Sequence, residues 1–207
     1  MVIGETLDIK RSLDEKGFAK IENFINANLC KEFLAKYTET LKNTLNPLLP
    51  GNENGGKNLK IGNEFYGKKN NCWEIFKLNL EEKNVFSFID GLSIFDLGIY
   101  KSAQLVIRKK FLDNVLPCHV DNLYDSNVTF FNCGIYLTDT SNDDKVYFVE
   151  GTHKIKTSSY TFDEDKIKKT YLSAKIGDLI IHNSYVWHGS DNADKEGRVT
   201  LYIKFQK

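Results

Sequence analysis

The hydrophobic pattern of this chain changes from helical to extended spacing along its length. It predicts a short helix over residues 5–16 and a strand over residues 17–25, where apolar and polar side chains alternate. A second helix is predicted to begin at Asn26 or Asn28, because asparagine caps helix N-termini, and to end before Pro47. Its apolar positions recur with helical periodicity, so both helices are expected to pack against a larger core.

Beyond Trp73, short apolar segments separated by turn residues continue to the C-terminus. Many short strands with irregular spacing favour a sandwich or a double-sheet jelly roll over an alternating parallel sheet. The expected class is therefore mainly β with flanking α-helices. The predicted strands are Ala103–Ile107, Cys118–Asp121, Val128–Leu137, Val146–Val149, Leu179–His182, Val186–Gly189 and Val199–Phe205.

Two segments do not fit this pattern. Residues 46–71 are polar and rich in glycine, which indicates either a mobile active-site cover or disorder. Residues 162–169 are interpreted as a short charged helix or loop inserted between strands. The length of 207 residues suits one domain, with N-terminal helices in residues 1–46 that pack on a core barrel of about residues 100–207.

The composition restricts the partners. The chain has 28 basic and 28 acidic residues, so no net field attracts it to nucleic acid or to an anionic membrane. No segment approaches the roughly 20 apolar residues of a membrane span, and no signal-peptide pattern is present, so a cytoplasmic protein is expected. Cys30, Cys72, Cys118 and Cys133 lack C-x-x-C spacing, which indicates reduced and mostly buried thiols. The oligomeric state stays open.

The segment His119-Val120-Asp121 and the later His188 carry the donors of a non-haem iron site. Two histidines and one carboxylate form the facial triad that holds Fe(II) and leaves positions open. Side chains alternate along a strand, so His119 and Asp121 are expected on one face. Cys118 and Val120 then point to the other face, and Cys118 is not expected to be a ligand.

The other two histidines are expected to lie outside the metal site. His182 ends the apolar segment Leu179-Ile180-Ile181-His182 and is interpreted as a core or rim residue. His153 is also placed outside the site.

Arg198 follows His188 after a run of turn-forming residues, so the two residues are expected on neighbouring strands. In the last strand, Arg198, Thr200 and Tyr202 share one face, and the apolar residues between them share the other. The polar face is predicted to line a ligand-holding barrel, with the apolar face covered by the N-terminal helices. Ser190 shares the face of His188. A guanidinium and a hydroxyl together suit a carboxylate ligand.

Five separated motifs occur in an order that resembles the phytanoyl-CoA dioxygenase family. They are His119-Val120-Asp121, Gly134-Ile135-Tyr136-Leu137-Thr138-Asp139, Glu150-Gly151-Thr152-His153-Lys154, Gly177-Asp178-Leu179-Ile180-Ile181-His182, and His188-Gly189-Ser190 followed by Arg198. The segment 13–25 is also similar to the N-terminal strand region of that family. The resemblance spans most of the chain and is weakest between residues 46 and 100.

The resemblance implies an Fe(II)- and 2-oxoglutarate-dependent oxygenase on a double-stranded β-helix. The residues it implies are His119, Asp121 and His188 for iron, and Arg198, Ser190 and Gln104 for 2-oxoglutarate. Family-like halogenases carry a small residue at the position of Asp121, so the carboxylate here favours hydroxylation. Glu150 replaces the proline that is usual in the P-G-[ST]-H motif, so the shape of that turn is where this chain departs from the family.

The expected reaction uses O2 and 2-oxoglutarate to hydroxylate a C–H bond of a small-molecule substrate, with release of succinate and CO2. Two alternatives stay open: a non-catalytic jelly-roll protein that binds a metal or ligand, and a zinc-dependent hydrolase that uses the same triad. Arg198 and Ser190 discriminate against the hydrolase, which needs no dicarboxylate site, and the intact triad argues against the non-catalytic protein. Tyr124, Phe130 and Tyr160 are aromatic candidates for the substrate wall.

Overall fold

The computed structural model describes residues 3–44, 73–78, 90–108, 116–123, 125, 127–140, 145–158, 167–190 and 198–207. Their elements are α1 (Ile3–Lys16), β1 (Phe18–Ile21), α2 (Ala27–Thr44), β2 (Trp73–Leu78), β3 (Ile99–Arg108), β4 (Leu116–His119), β5 (Phe130–Tyr136), β6 (Val146–Phe148), β7 (Thr170–Leu172), β8 (Leu179–Asn183), β9 (His188–Ser190) and β10 (Val199–Gln206). The predicted 46–71 loop, residues 162–166 of the charged segment, Tyr124 and Tyr160 lie outside the described residues.

The strands of the described ranges form two antiparallel sheets. The large sheet has the order β1-β8-β5-β10-β3-β2, and the small sheet has the order β4-β9-β6-β7. From β3 onward the chain alternates between the sheets: β3, β5, β8 and β10 lie in the large sheet, and the strands between them lie in the small one. This connectivity is a double-stranded β-helix, as the sequence resemblance implied.

The N-terminal helices cover the outer face of the large sheet. Ile9 and Leu13 of α1 and Phe33 of α2 belong to one buried cluster together with alternate residues of β10. Those β10 residues are Val199, Leu201, Ile203 and Phe205. The prediction that the helices cover the apolar face of the last strand is therefore confirmed. Within the described ranges, neither helix is long and apolar enough to cross a membrane.

The helix boundaries follow local capping chemistry. Asn26 is the cap of α2, because its Oδ1 accepts a hydrogen bond from the backbone N–H of Asn28 at 2.8 Å. The strand predicted over residues 17–25 ends earlier, at Ile21, and Asn23 then adopts a left-handed conformation with φ of 52°. Its backbone N–H donates to the carboxylate of Asp178 at 3.0 Å, which anchors this turn to the start of β8.

Strands β2 and β7 were not predicted from the sequence. β2 pairs with β3 from Trp73↔Arg108 to Leu78↔Ala103, so the large sheet begins before the predicted barrel boundary at about residue 100. β7 directly follows residues 162–169, the segment interpreted as a charged helix or loop between strands. β2 does not alternate strictly, because Ile75 and Phe76 are adjacent, and β7 has only three residues, so neither gives a clear strand pattern.

The three described cysteines are Cys30, Cys118 and Cys133, and all are buried, as expected. Burial raises the pKa of the Cys30 thiol to about 11. Cys72 lies outside the described residues. A buried thiol with a raised pKa is a poor nucleophile, so Cys30 has a packing role.

Candidate metal centre

Strand pairing brings the two candidate histidine ligands together. His119 ends β4 and His188 begins β9, and the two residues are direct partners in the antiparallel register. Their ring centroids are 4.3 Å apart. Asp121 lies just beyond β4, and its backbone N–H donates to the carbonyl of Ser184 at 3.0 Å. The turn between β8 and β9 therefore holds the carboxylate beside both histidines.

The residues that alternate with these ligands pack on the opposite face of the small sheet. Cys118, Val120 and Trp187 belong to one buried cluster there. His119 and Asp121 share the inner face, so the prediction from strand alternation is confirmed. Trp187 also receives support from a neighbouring turn, since its backbone N–H donates to Thr152 Oγ1 at 3.0 Å.

The turn that contains Thr152 is the segment in which Glu150 stands where the family usually has proline. Gly151 adopts φ of 76°, a conformation that glycine reaches without strain. Thr152 Oγ1 donates to the Val149 carbonyl at 2.7 Å, and His153 contacts the Asp14 carbonyl through Nε2 at 3.2 Å. The turn therefore joins the end of β6 to α1 without a proline. His153 belongs to this structural contact, in line with its expected place outside the metal site.

The donor atoms of the three candidate ligands converge. Nε2 of His119 and Nε2 of His188 each lie 3.7 Å from Asp121 Oδ1. All three donors lie within 4.8 Å of one another, and the two histidines are buried. Two ligands that each bind an ion at about 2.1 Å can be at most about 4.2 Å apart, so the carboxylate–histidine separations fit a shared metal.

The second oxygen of Asp121 is held from the large sheet. Asn132 of β5 donates a hydrogen bond from Nδ2 to Asp121 Oδ2. Nε2 of His182 lies 3.8 Å from the same oxygen, and Asn132 and His182 are register partners in β5 and β8. Oδ1 therefore faces the two candidate ligands, while Oδ2 is held by the supporting residues.

Sequence reasoning missed Asn132 and underestimated His182. Cys133 and Ile135 face the helices, so Asn132 lies on the inner face of β5, where a polar residue needs a partner. The alternation of outward and inward residues along β5 could have identified Asn132 from the sequence. His182 is not in the three-donor set, in line with its prediction, but its ring centroid is only 4.5 Å from that of His188.

The electrostatics of the cluster suit metal binding. Burial alone would raise the pKa of Asp121, but attraction to the surrounding histidines in their protonated form, led by His188, lowers it below its usual range. Burial lowers the pKa of His188 to about 3 and also lowers the pKa of His182. An ionised carboxylate beside neutral imidazoles is the protonation state that a metal requires.

The orientation of the His188 ring supports the same use. Its Nδ1 lies 3.0 Å from the carbonyl oxygen of Val186, to which a protonated Nδ1 donates. This contact fixes the tautomer and leaves the Nε2 lone pair directed toward Asp121 Oδ1. The donor set, its burial and its tautomer therefore fit a divalent metal ion.

The candidate residues for the cosubstrate are buried. Arg198 is 5% exposed and Ser190 is 0% exposed. β9 runs from His188 to Ser190, so Ser190 is at the end of this strand that is farther from the triad. Arg198 directly precedes β10. A buried guanidinium is stable only beside acceptors or an anion, and this makes the region suitable for a carboxylate.

Gln104 lies on the inner face of β3. Its neighbours Ala103 and Leu105 belong to the outer hydrophobic cluster, so Gln104 points the other way. Its register partner in β10 is Tyr202, which follows Arg198 and Thr200 on the same face. Gln104 is therefore on the correct face for the predicted cosubstrate contact, and that contact stays a prediction.

The phytanoyl-CoA dioxygenase (PhyH) family model matches residues 13–196 of this chain. The chain belongs to the phytanoyl-CoA dioxygenase family. The match includes all three candidate iron ligands and ends just before Arg198, so the expected role of this arginine depends on its position beside β10. No curated protein has a significant sequence match to the chain.

Solved structures with a similar fold include enzymes that catalyse different reactions. The non-heme alpha ketoglutarate dependent epimerase SnoN from nogalamycin biosynthesis is 10% identical with a TM-score of 0.68, over 98% of this chain and 83% of that one. The carbocyclase SnoK from the same biosynthesis is 15% identical with a TM-score of 0.68, over 95% and 82%. HygX from Streptomyces hygroscopicus, with nickel and 2-oxoglutarate bound, is 15% identical with a TM-score of 0.64, over 99% and 87%. These similarities show the fold, which hosts more than one reaction type.

Proposed function

We propose that this protein is an Fe(II)- and 2-oxoglutarate-dependent oxygenase that hydroxylates a C–H bond of a small molecule and releases succinate and CO2. The observation that carries the proposal is the group formed by the buried His119 and His188 and the half-buried Asp121, whose donor atoms lie within 4.8 Å of one another. Membership of the phytanoyl-CoA dioxygenase family supports the coarser class, a 2-oxoglutarate-dependent non-haem iron enzyme. Bound iron would supply the activation of O2 that is coupled to decarboxylation of 2-oxoglutarate.

The residues of the chain would bind and orient the reactants. His119 and His188 would hold the metal through Nε2, and Asp121 would hold it through Oδ1. Arg198 would bind the distal carboxylate of 2-oxoglutarate through paired N–H groups, assisted by the hydroxyl of Ser190. Gln104 would contact the cosubstrate from β3. A carboxylate at position 121 fills the place that a halogenase leaves for halide, which supports hydroxylation.

Aromatic residues around the histidines would exclude water. Phe148 lies with its ring centroid 5.7 Å from that of His188, and it stacks on Phe18 at 4.5 Å. Both phenylalanines are buried in a cluster on the inner side of the sheets. An apolar wall of this kind protects a reactive site from side reactions with water.

Two alternatives from other classes have weaker support. A zinc hydrolase could use the same triad, but it has no use for a buried arginine and serine beside it. The intact triad of His119, Asp121 and His188 argues against a non-catalytic binding protein. The proposed partner is a small molecule bound inside the barrel, and neither a nucleic acid nor a membrane partner is proposed.

The metal and cosubstrate assignments can be tested by anaerobic visible spectroscopy. Addition of Fe(II) and 2-oxoglutarate is expected to give a weak charge-transfer absorption that Asp121→Ala and His188→Ala abolish. Unchanged spectra in those variants would contradict the triad. Arg198→Ala should keep Fe(II) binding but weaken 2-oxoglutarate binding about 10- to 100-fold, because a charge-assisted contact contributes about 1.5–3 kcal/mol. Equal loss of both ligands would mean that Arg198 is structural.

The reaction type needs a separate measurement. A mass-spectrometric screen of small molecules should identify one that gains a single oxygen atom while succinate formation increases. A product of unchanged mass, or one that has lost hydrogen, would contradict hydroxylation but would leave the enzyme class intact.

A further inference from the structure

Lys204 brings a positive charge to the metal end of the barrel. It lies on the inner face of β10, in register with Asn132 of β5. The pairing of β10 with β3 shifts between Lys204 and Phe205, and such irregularities redirect side chains. Its Nζ donates a hydrogen bond at 3.0 Å to Oδ1 of Asn122, the residue after Asp121.

Within the described ranges, the groups in direct contact with this ammonium are neutral. One is the amide oxygen of Asn122, and the other is the ring of Phe130, whose centroid lies 4.4 Å from Nζ. Ion pairs with carboxylates occur in the described ranges, for example at Arg11, Lys20 and Lys207, but none of these involves Lys204. The half-buried charge therefore has no carboxylate in ion-pair contact within the described part of the chain.

Burial of this charge is unfavourable in the protein alone. Loss of hydration lowers the pKa of Lys204, and the attraction of Asp121 offsets this only in part. The carboxylate of Asp121 is itself engaged by Asn132 and faces the two histidines. An anion from outside the protein is therefore the natural counter-charge for Lys204.

The position of Lys204 separates it from the cosubstrate site. Arg198 and Lys204 are six residues apart in sequence, so their Cα atoms are roughly 20 Å apart along an extended strand. The triad lies toward Lys204, because Asn122 follows Asp121 directly and Asn132 contacts Asp121. A short dicarboxylate held between Arg198 and the metal leaves the space beside Lys204 for the second substrate.

We propose that the substrate to be oxidised carries a carboxylate or phosphate group and that Lys204 binds this group. The proposal depends on the proposed oxygenase function and names its substrate class. Asn122 and Phe130 hold the ammonium at the end of β10 nearer the triad, so the anionic group would anchor the substrate with its reacting carbon toward the metal. Neutral molecules that lack such a group are expected to bind poorly.

The test uses the full chain loaded with Mn(II) in place of Fe(II) and saturated with 2-oxoglutarate. Mn(II) is paramagnetic, so it speeds the nuclear relaxation of any anion that resides near it. Inorganic phosphate and acetate serve as probes, observed through phosphorus and methyl proton signals. Wild-type protein should increase the nuclear relaxation rate of at least one probe anion. Lys204→Met should reduce this increase about 10-fold or more, as expected for loss of a charge-assisted contact.

A matched control is available at Lys169, whose Nζ lies 4.2 Å from the ring centroid of Tyr147. Tyr147 packs in the outer cluster of the small sheet, away from the triad. Lys169→Met therefore removes a lysine that contacts an aromatic ring far from the triad. This variant should increase the relaxation rate of the probe as much as wild-type protein does. Lys204→Arg keeps the charge and should retain most of the effect.

The outcomes separate this proposal from the function it depends on. Failure of wild-type protein to bind Mn(II), measured by electron paramagnetic resonance, would overturn both. Normal binding of Mn(II) and 2-oxoglutarate with equal relaxation in wild type and Lys204→Met, including no effect in either, would overturn only the anion site. Loss of Mn(II) binding in Lys204→Met would assign the lysine to the metal site and would also overturn the proposal. A stronger effect on phosphate supports a phosphorylated substrate, and a stronger effect on acetate supports a carboxylic acid.

Discussion

Asn132→Leu is expected to weaken metal binding although Asn132 is not a candidate ligand. The substitution keeps a similar side-chain size but removes the amide that donates to Asp121 Oδ2. Without this donor, the ionised carboxylate is less stable, so a proton competes better with the metal. The carboxylate also gains rotational freedom, and Oδ1 is then less often directed between His119 and His188.

The magnitude follows from the contact. A hydrogen bond to a charged group contributes about 1.5–3 kcal/mol, and each 1.4 kcal/mol or so is about tenfold in affinity. Fe(II) binding should therefore weaken about 10- to 100-fold, which agrees with the usual effect of residues that support metal ligands. The metal-free protein should lose a smaller free energy of unfolding, because the contact contributes most when Asp121 Oδ1 has to be held toward a bound metal.

Anaerobic titration with Fe(II) measures the affinity, and chemical denaturation measures the stability. Thr140→Val is a suitable control, because Thr140 Oγ1 donates to the Ala174 carbonyl at 3.0 Å and accepts from its N–H at 2.9 Å, remote from Asp121. This control should lose stability and keep its Fe(II) affinity. If Asn132→Leu behaves in the same way as the control, the contact with Asp121 has only a structural role.

Two further predictions concern pH and the barrel interior. His188 has an ordinary pKa of 6.5 when unfolded and about 3 when folded, so between these values only the unfolded chain is protonated. Stability of the metal-free protein should then fall by about 1.4 kcal/mol per pH unit as pH decreases below 6.5, and denaturation of His188→Asn should show a flatter profile. In Gly134→Ala, the new Cβ would lie 3.1 Å from Tyr202 Cε1 and 3.3 Å from Thr200 Cγ2. The ring is displaced toward the cosubstrate space, so 2-oxoglutarate binding should weaken about 10-fold while Fe(II) titrations stay unchanged, and equal weakening of both would refute this explanation.

The inner strands of the large sheet could be predicted because each has one face in the barrel and one face against the helices, which gives a clear pattern along the sequence. Alternation in β10 separated Arg198, Thr200 and Tyr202 from the apolar residues that pack against α1 and α2. β2 and β7 lack this signal, since Ile75 and Phe76 break the alternation in β2 and β7 has only three residues. The predicted strand Val186–Gly189 begins later, at His188, because the Val186 N–H turns back to the Asn183 carbonyl at 3.0 Å. Turns of this kind depend on backbone contacts that leave little trace in hydrophobic patterns.

The candidate ligands could be predicted, but their support could not. H-x-D spacing on a strand fixes the common face of His119 and Asp121 without any tertiary information. The contacts of Asn132 and His182 with Asp121 depend on the pairing of β5 with β8, which brings together residues that are far apart in sequence. Lys204 was assigned no role for the same reason, because its contact with Asn122 crosses between the sheets.

The three candidate ligands differ in how firmly the fold positions them. His119 and His188 lie within paired strands, so the register of β4 and β9 sets their separation. Asp121 lies beyond the end of β4, and its position depends on the Ser184 carbonyl and on Asn132. Both of these groups are linked to β8, which in turn is paired with β1 beside α1. The geometry of the small-sheet metal site is therefore completed by the large sheet, and changes at Asn132 should affect the metal more than equally destabilising changes in the helical layer.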